Sequence, residues 1–188
     1  MEEWDDRTHL ERKAMANRFL FDLGLLNTLR QYGEPHLIGS YRMDMMASND
    51  LDIDVCNDHM TLERLHDLSR SILTTFKPCW YEAKEEQTEA GKTVWFHGFE
   101  TRIFGDLWNI DIWFFDDETI ANAERYCDDL VEKVKSDPSL KDVTIAIKQD
   151  LLDRGLYGFG KYTSMDVYQA VFDRGVRSTD AFIIQSER

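Results

Sequence analysis

The stretch HLIGSYRMDMMASNDLDIDVC, His36 to Cys56, decides how this chain is read. It holds a short strand over Pro35 to Ile38, a Gly-Ser turn into a short helix, and a strand with acids at alternate positions. Side chains in a strand alternate between faces, so Asp50, Asp52 and Asp54 share one surface while Leu51, Ile53 and Val55 point into a core. Carboxylates crowded together repel one another unless water screens them or a cation binds, and hard oxygen ligands suit Mg²⁺ or Mn²⁺. An exposed edge strand with an acidic outer face would account for the acids alone. It leaves the Gly-Ser turn without a role. A helix N-terminus offers free N–H groups and partial positive charge to a phosphate, and Gly39 and Ser40 stand where such a helix begins. Arg42 is placed to neutralise a second phosphate oxygen.

A calcium loop of the EF-hand type also begins with acids at its first, third and fifth positions, but it needs Gly at the sixth and Glu at the twelfth. Counting from Asp50, those positions hold Val55 and Thr61, which excludes it.

The pattern resembles that of the polymerase β-like nucleotidyltransferase superfamily: Gly-Ser, a spacer, Asp-x-Asp on a strand, and a third Asp on a later strand. Gly39-Ser40 and Asp52-Ile53-Asp54 match the first parts, and Asp111, within LWNIDIWF (Leu107 to Phe114), matches the last. The resemblance covers about residues 15 to 115. It implies an α/β (α+β) fold, a small mixed sheet with helices packed on one side. It also implies transfer of a nucleoside monophosphate from a nucleoside triphosphate, ATP first among them, to an acceptor. Asp52, Asp54 and Asp111 would then be the catalytic and metal-holding residues for Mg²⁺ or Mn²⁺, with Asp111 able to take the acceptor's proton. Gly39, Ser40 and Arg42 would bind the phosphates, and Asp50 and Glu100 would stand in support. The acceptor implied is a small molecule, aminoglycoside-like for instance, or a protein. The alternative is a catalytically silent nucleotide-binding or interaction module of the same fold, which the intact acidic trio argues against. A metal-dependent phosphohydrolase ranks third, because only His97 lies in the motif strands.

The chain has 188 residues, enough for one domain, or one with a helical appendage, around a real core. Its 43% hydrophobic content, with 11 Phe, 7 Tyr and 5 Trp, excludes disorder. The 22 basic residues stand against 36 acidic ones, a net charge of −14 that repels nucleic-acid backbones and argues against a polynucleotide partner. Cys56, Cys79 and Cys127 form no C-x-x-C pair and read as reduced, mostly buried thiols. His36 and His97 read as structural. No apolar run approaches the roughly 20 residues of a membrane span, and the N-terminus is acidic where a signal peptide is basic. The expected location is cytoplasmic.

Around the motif, helical spacing predicts one helix from about Asp5 to Gln31 and another ending before Pro78, capped by Asp58 or Thr61. Strands follow at Cys79 to Lys84, Thr93 to Phe104 and Leu107 to Phe115, with a loop over Glu85 to Gly91. Gly105-Asp106 reads as a two-residue hairpin turn, which would set Glu100 opposite Asp111. Residues 1–117 are thus expected to form the catalytic domain and 118–188 a helical region, with helices over Glu118 to Lys135, from Asp137-Pro138 to Gly155, and over Met165 to Arg174 and Thr179 to Ser186. The segment GLYGFGKYT, 155–163, nearly matches a phosphate loop, but Tyr162 stands where the metal-binding hydroxyl belongs and a helix precedes it. It reads as a connector.

Overall fold

The amphipathic segment predicted as one helix is broken. In the computed structural model, which describes residues 8–88, 90–158 and 161–186, α1 is His9–Asn17, and the predicted start at Asp5 lies outside the described residues. Thr8 and Glu11 close a capping box at its start. A π-helical turn, Arg18–Asp22, follows; Gly24 then adopts a left-handed φ of 79°, and α2, Leu25–Leu29, begins afresh. Of the apolar residues at helical spacing (Met15, Phe19, Leu23, Leu26 and Leu29), Phe19, Leu26 and Leu29 are buried, while Leu23, at the break, is exposed. Periodicity is blind to this break.

Next come β1 (Glu34–Leu37), α3 (Gly39–Arg42), β2 (Asp50–Cys56), α4 (Leu62–Phe76), β3 (Trp80–Gln87), β4 (Thr93–Ile103) and β5 (Asp106–Phe115). Thr61, rather than Asp58, caps α4, its hydroxyl accepting from the Arg64 N–H at 3.3 Å. The five strands form one mixed sheet in the order β1-β2-β5-β4-β3. β2 and β5 run parallel, and the other neighbours are antiparallel. The inward residues Leu51, Ile53, Val55, Phe99, Ile110 and Ile112 pack with the buried stripes of α1, α2 and α4 into one core. Helices therefore cover one face of the sheet, and the alternating acids are turned to the other.

Two strand expectations need correction. β3 runs on to Gln87, paired with Thr93, so Glu85 to Gln87 belong to the sheet rather than to a loop. Its alternating charges disguised it: Lys84 bridges Glu82 at 3.3 Å and Glu86 at 2.7 Å, all on one side of the strand. The β4–β5 turn is Phe104-Gly105, both with positive φ (55° and 94°), and not Gly105-Asp106. Positive φ at both central residues matches the right-handed strand twist, which is why the turn settles there. The register moves accordingly. Gly98 pairs with Asp111, and Glu100 pairs with Asn109.

By its internal contacts the chain divides into two compact units, Met1–Tyr126 and Cys127–Arg188, and the division falls inside α5 (Asp117–Ser136). The second unit continues with α6 (Ser139–Asp153), α7 (Ser164–Tyr168), a π-helical turn Gln169–Asp173, and α8 (Thr179–Ser186). Asp137 holds the start of α6, accepting from the Ser139 N–H at 3.1 Å and hydroxyl at 2.6 Å. The core of this unit gathers Leu140, Ile147, Leu151, Val167, Val171 and Phe182. Lys148 is buried there with its ammonium 5.6 Å from the Tyr157 ring centre and 5.3 Å from that of Tyr168. Of the near-match to a phosphate loop, Phe159 and Gly160 lie outside the described residues. In the rest of it, Lys161 donates to the Gly155 carbonyl and Thr163 caps α7.

No helix among the described residues is long and apolar enough to cross a membrane. Among the described residues no disulfide joins the three cysteines, and only Cys127 of them is buried; Cys79 is exposed, and half-buried Cys56 donates its S–H to Asp117 at 2.8 Å.

Candidate functional site

Parallel pairing of β2 with β5 sets Asp52 opposite Asp111, Asp50 opposite Asn109 and Asp54 opposite Trp113. Residues directly opposite in a ladder share a face. Asp50, Asp52, Asp54, Asn109, Asp111 and Trp113 therefore stand together on the face away from the helical core. Pairing continues that face across β4 and β3, with Gly98 and Glu82 beyond Asp111, and Phe96 and Lys84 beyond Trp113.

The Gly-Ser turn comes back onto this surface. β1 pairs with β2 so that His36 faces Asp54, and the Ile38 N–H donates to the Asp52 carbonyl at 3.1 Å. Gly39 has a φ of 61°, and a Cβ there would overlap the Asp52 carboxylate. Any other residue would push Asp52 aside, so glycine is required by close approach as well as by backbone conformation. Ser40, 6% exposed, follows it in α3.

Burial governs the charges. Asp54 is 7% exposed and its pKa is pushed up to about 6, chiefly by loss of water; nearby His36 pulls it down and Glu124 pushes it further up. Asp111 also rises to about 6, by burial first and then by the negative charge of Asp50. A hydrogen bond from Asn109 opposes the rise, while Glu100 and Glu82 add to it. Asn109 also holds Asp50, donating to its carboxylate at 2.8 Å. Glu100, expected opposite Asp111, thus acts on it from one ladder step away. Gly98 is the residue opposite: a Cβ there would lie 3.2 Å from the Asp111 carboxylate and 2.6 Å from the Phe96 ring, so the missing side chain leaves room for both.

Among the described residues, no three His, Cys, Asp or Glu side chains are gathered as a ready-made metal cage. Mg²⁺ does not require one. It keeps several waters and is bound through one or two carboxylates together with substrate phosphates. Hard oxygens on one face, two of them on carboxyls whose raised pKa marks an uncompensated charge, are a donor set that fits such an ion.

Aromatic candidates separate cleanly. Trp108 is fully buried in the core, and Tyr41 donates its hydroxyl to Asn17 at 2.5 Å. Trp113 stands on the carboxylate face, where its ring centre lies 4.7 Å from that of Phe96 and 5.6 Å from that of Phe115, nearly parallel to the latter at 7°. His97 is structural: it is fully buried on the core side, neither ring nitrogen has a partner among the described residues, and burial lowers its pKa to about 4.

His36 stands beside the acidic face, opposite Asp54. Its Nδ1 lies 3.1 Å from Glu124 Oε1, which also accepts from Arg42 at 2.9 Å. Glu124 sits on α5, far along the chain, and a lone acid on a polar helix face gives no sequence signal. Gly98 did give one, since a glycine inside the aromatic run Trp95-Phe-His-Gly-Phe99 marks a close approach.

No protein-family model matches the sequence, and no curated protein does. Solved structures match by fold. A mutant of the Cid1 poly(U) polymerase bound to MgATP aligns with a TM-score of 0.61 at 18% identity, over 86% of this chain and 50% of that one. A cytoplasmic RNA terminal U-transferase aligns at 0.55 and 19% identity, over 89% and 48% respectively. mtPAP in complex with ATPγS aligns at 0.50 and 12%, over 90% and 39%. The chain spans about half the length of the first two. Its fold is that of the nucleotidyltransferases.

Proposed function

We propose that the chain transfers a nucleoside monophosphate from a nucleoside triphosphate to an acceptor hydroxyl. The observation that carries this reading is the parallel register of β2 and β5, which sets Asp52 opposite Asp111 on the face that carries Asp54, with Gly39 packed against Asp52. Neighbours of the same fold bound to MgATP and MgGTP support a magnesium–triphosphate substrate.

Asp52, Asp54 and Asp111 would hold the divalent ions. Bound there, the metal would screen phosphate charge and orient the in-line displacement. Ser40 would donate its hydroxyl to the triphosphate, while the backbone of the Gly39 turn lets phosphate approach closely and Arg42 supplies positive charge. Asp111 would also accept the proton of an acceptor hydroxyl.

The acceptor first supported is an RNA 3′ end, because the structural neighbours include a poly(U) polymerase and an RNA terminal U-transferase. The net charge of −14, which argued against nucleic acid, is a property of the whole surface and does not describe one groove. A cationic small molecule is the second reading, favoured by Asp50, Glu100 and Glu82, whose charges all bear on Asp111. A domain division near residue 117, ATP as the preferred nucleotide and a cytoplasmic setting complete the proposal.

The test is pyrophosphate release from each of the four triphosphates with Mg²⁺ or Mn²⁺, in the presence of oligoribonucleotides, aminoglycosides or proteins in separate pools. Release that depends on one pool names the acceptor class. No release in any pool, with triphosphate binding retained, would leave the silent nucleotide-binding module as the correct account.

A further inference from the structure

The sheet ends on β3, and among the described residues no strand pairs with its outer side. The strand is 8 residues long, and Trp80 and Tyr81 at its start are 44% and 48% exposed. An open edge of this length is a template for a further strand. The backbone groups it offers follow from the ladder to β4. The Thr88 N–H donates to the Lys92 carbonyl at 2.9 Å, just beyond the last strand pair, Gln87 with Thr93. Bonded and non-bonded positions alternate in an antiparallel pair, so Glu86, Lys84, Glu82 and Trp80 exchange their bonds with β4. The Cys79 N–H agrees with that phase, donating at 2.8 Å to the carbonyl of Glu100, the residue paired with Trp80. Tyr81, Ala83, Glu85 and Gln87 therefore direct their N–H and C=O groups outward.

The side chains select what can pair there. Lys84 stands between two acids on one side of the strand, bridging Glu82 at 3.3 Å and Glu86 at 2.7 Å. A second copy approaching antiparallel about a two-fold axis sets residues of β3 opposite one another, and opposite charges stabilise such pairs where like charges destabilise them. An axis at Glu82 or Glu85 sets that acid against itself. An axis at Lys84 opposes two lysines and sets Glu82 against Glu86. At Ala83 the conflict disappears: Glu82 of each copy lies opposite Lys84 of the other, Tyr81 opposite Glu85, and Trp80 opposite Glu86. The bonded pair on that axis is Ala83 with Ala83, which the outward backbone groups require.

We propose that β3 is an interaction edge for a second copy of this chain, pairing antiparallel about Ala83 and joining two sheets through Glu82–Lys84 contacts made twice. A lone lysine on an edge discourages pairing. Flanked by acids at this spacing, it discourages the neighbouring registers and leaves this one favourable.

The experiment is sedimentation velocity on the full chain over a concentration series. A strand-pairing interface is small, so a dimer with a Kd of about 1–100 μM is expected. Ala83→Pro takes no bond from β4, because the N–H it removes points outward, but it deletes both N–H donors on the axis. It should raise Kd by about five- to hundredfold, with thermal melting as the check on folding. Glu82→Lys and Lys84→Glu should each raise Kd by about three- to thirtyfold by setting like charges opposite. An equimolar mixture of the two, or a chain carrying both, should associate as the wild type does. These charge variants decide the matter if Ala83→Pro does not fold. A wild type that stays monomeric throughout the series, or a dimer unaffected by Ala83→Pro or by the single charge variants, would overturn the proposal. So would charge variants that weaken the dimer without rescue in the mixture, since the copies would then meet in another register or on another face.

Discussion

Replacing Asp54 with Asn should stabilise the metal-free protein, and by an amount that depends on pH. Asp54 is 7% exposed, and its pKa rises from 3.8 to about 6 because burial strips water from the charged form. The folded state therefore holds this proton more tightly than the unfolded chain does. Stability from this group is greatest below about pH 4 and is lost as pH rises through about 6. A shift of about two units corresponds to about 3 kcal/mol at most, since each unit is worth 1.36 kcal/mol. Asparagine has nearly the same shape and no charge to bury. Urea unfolding in EDTA, repeated from pH 4 to pH 8, should show a stability difference between variant and wild type that starts small and grows by about 2–3 kcal/mol, or roughly 5–10 °C in Tm for a chain of this size. A constant offset from altered hydrogen bonding would not disturb that slope. A difference that stays flat between pH 4 and 8 would refute the reasoning, because the buried charge would then carry no cost.

Three further outcomes follow from the same geometry. Gly39→Ala should destabilise by about 1–3 kcal/mol through its positive φ alone and also displace Asp52, lowering the urea midpoint and nucleotide turnover together; retained turnover would mean that Asp52 is dispensable. Ser40→Ala should weaken triphosphate binding by about 1.5–3 kcal/mol, the worth of a hydrogen bond to a charged group, with little change in melting; unchanged affinity in calorimetry would move the phosphate site elsewhere. Mn²⁺ or Mg²⁺ at a hundredfold excess over Kd should stabilise the wild type by about 2.7 kcal/mol. The Asp52→Asn, Asp54→Asn double variant should melt above the metal-free wild type and gain little from either ion, and a full metal response in that variant would place the cation on another part of this acidic surface.

The parts of the fold written in strict alternation were legible in the sequence, and the parts set by chain reversal were not. Asp50 to Val55 and Trp108 to Phe114 each announce a strand with one polar and one apolar face, and both pack as read. The hairpin joining β4 to β5 was misplaced by one residue because Gly-Asp attracts attention, while the turn in fact puts Phe104 at positive φ. Arg18, packed 4.0 Å over the Phe104 ring, supplies a reason the residue is tolerated there. That contact joins segments far apart in the chain, so no local rule contains it. The same holds for Glu124. Its contacts with His36 and Arg42 exist only once the chain has folded back on itself, whereas Gly39, Ser40 and Arg42 sit close enough in sequence to be read together.

The features that make this face costly are those that suit it to chemistry. Asp54 and Asp111 both carry raised pKa values for want of water and counter-charge, and Asp50, Glu100 and Glu82 deepen the imbalance around Asp111. A sheet selected for stability alone would place threonine or lysine at such positions. Instead, the backbone is thinned where the carboxylates need room, with Gly39 against Asp52 and Gly98 against Asp111, one on each of the two segments that flank the β2–β5 pair. Glycine inside a strand weakens it, so Gly98 adds a second cost at the same place. Two independent costs converging on one small surface are hard to explain as packing, since either could be relieved by a single substitution. They accord with the proposed function, in which a cation and a polyphosphate would restore charge balance on this surface.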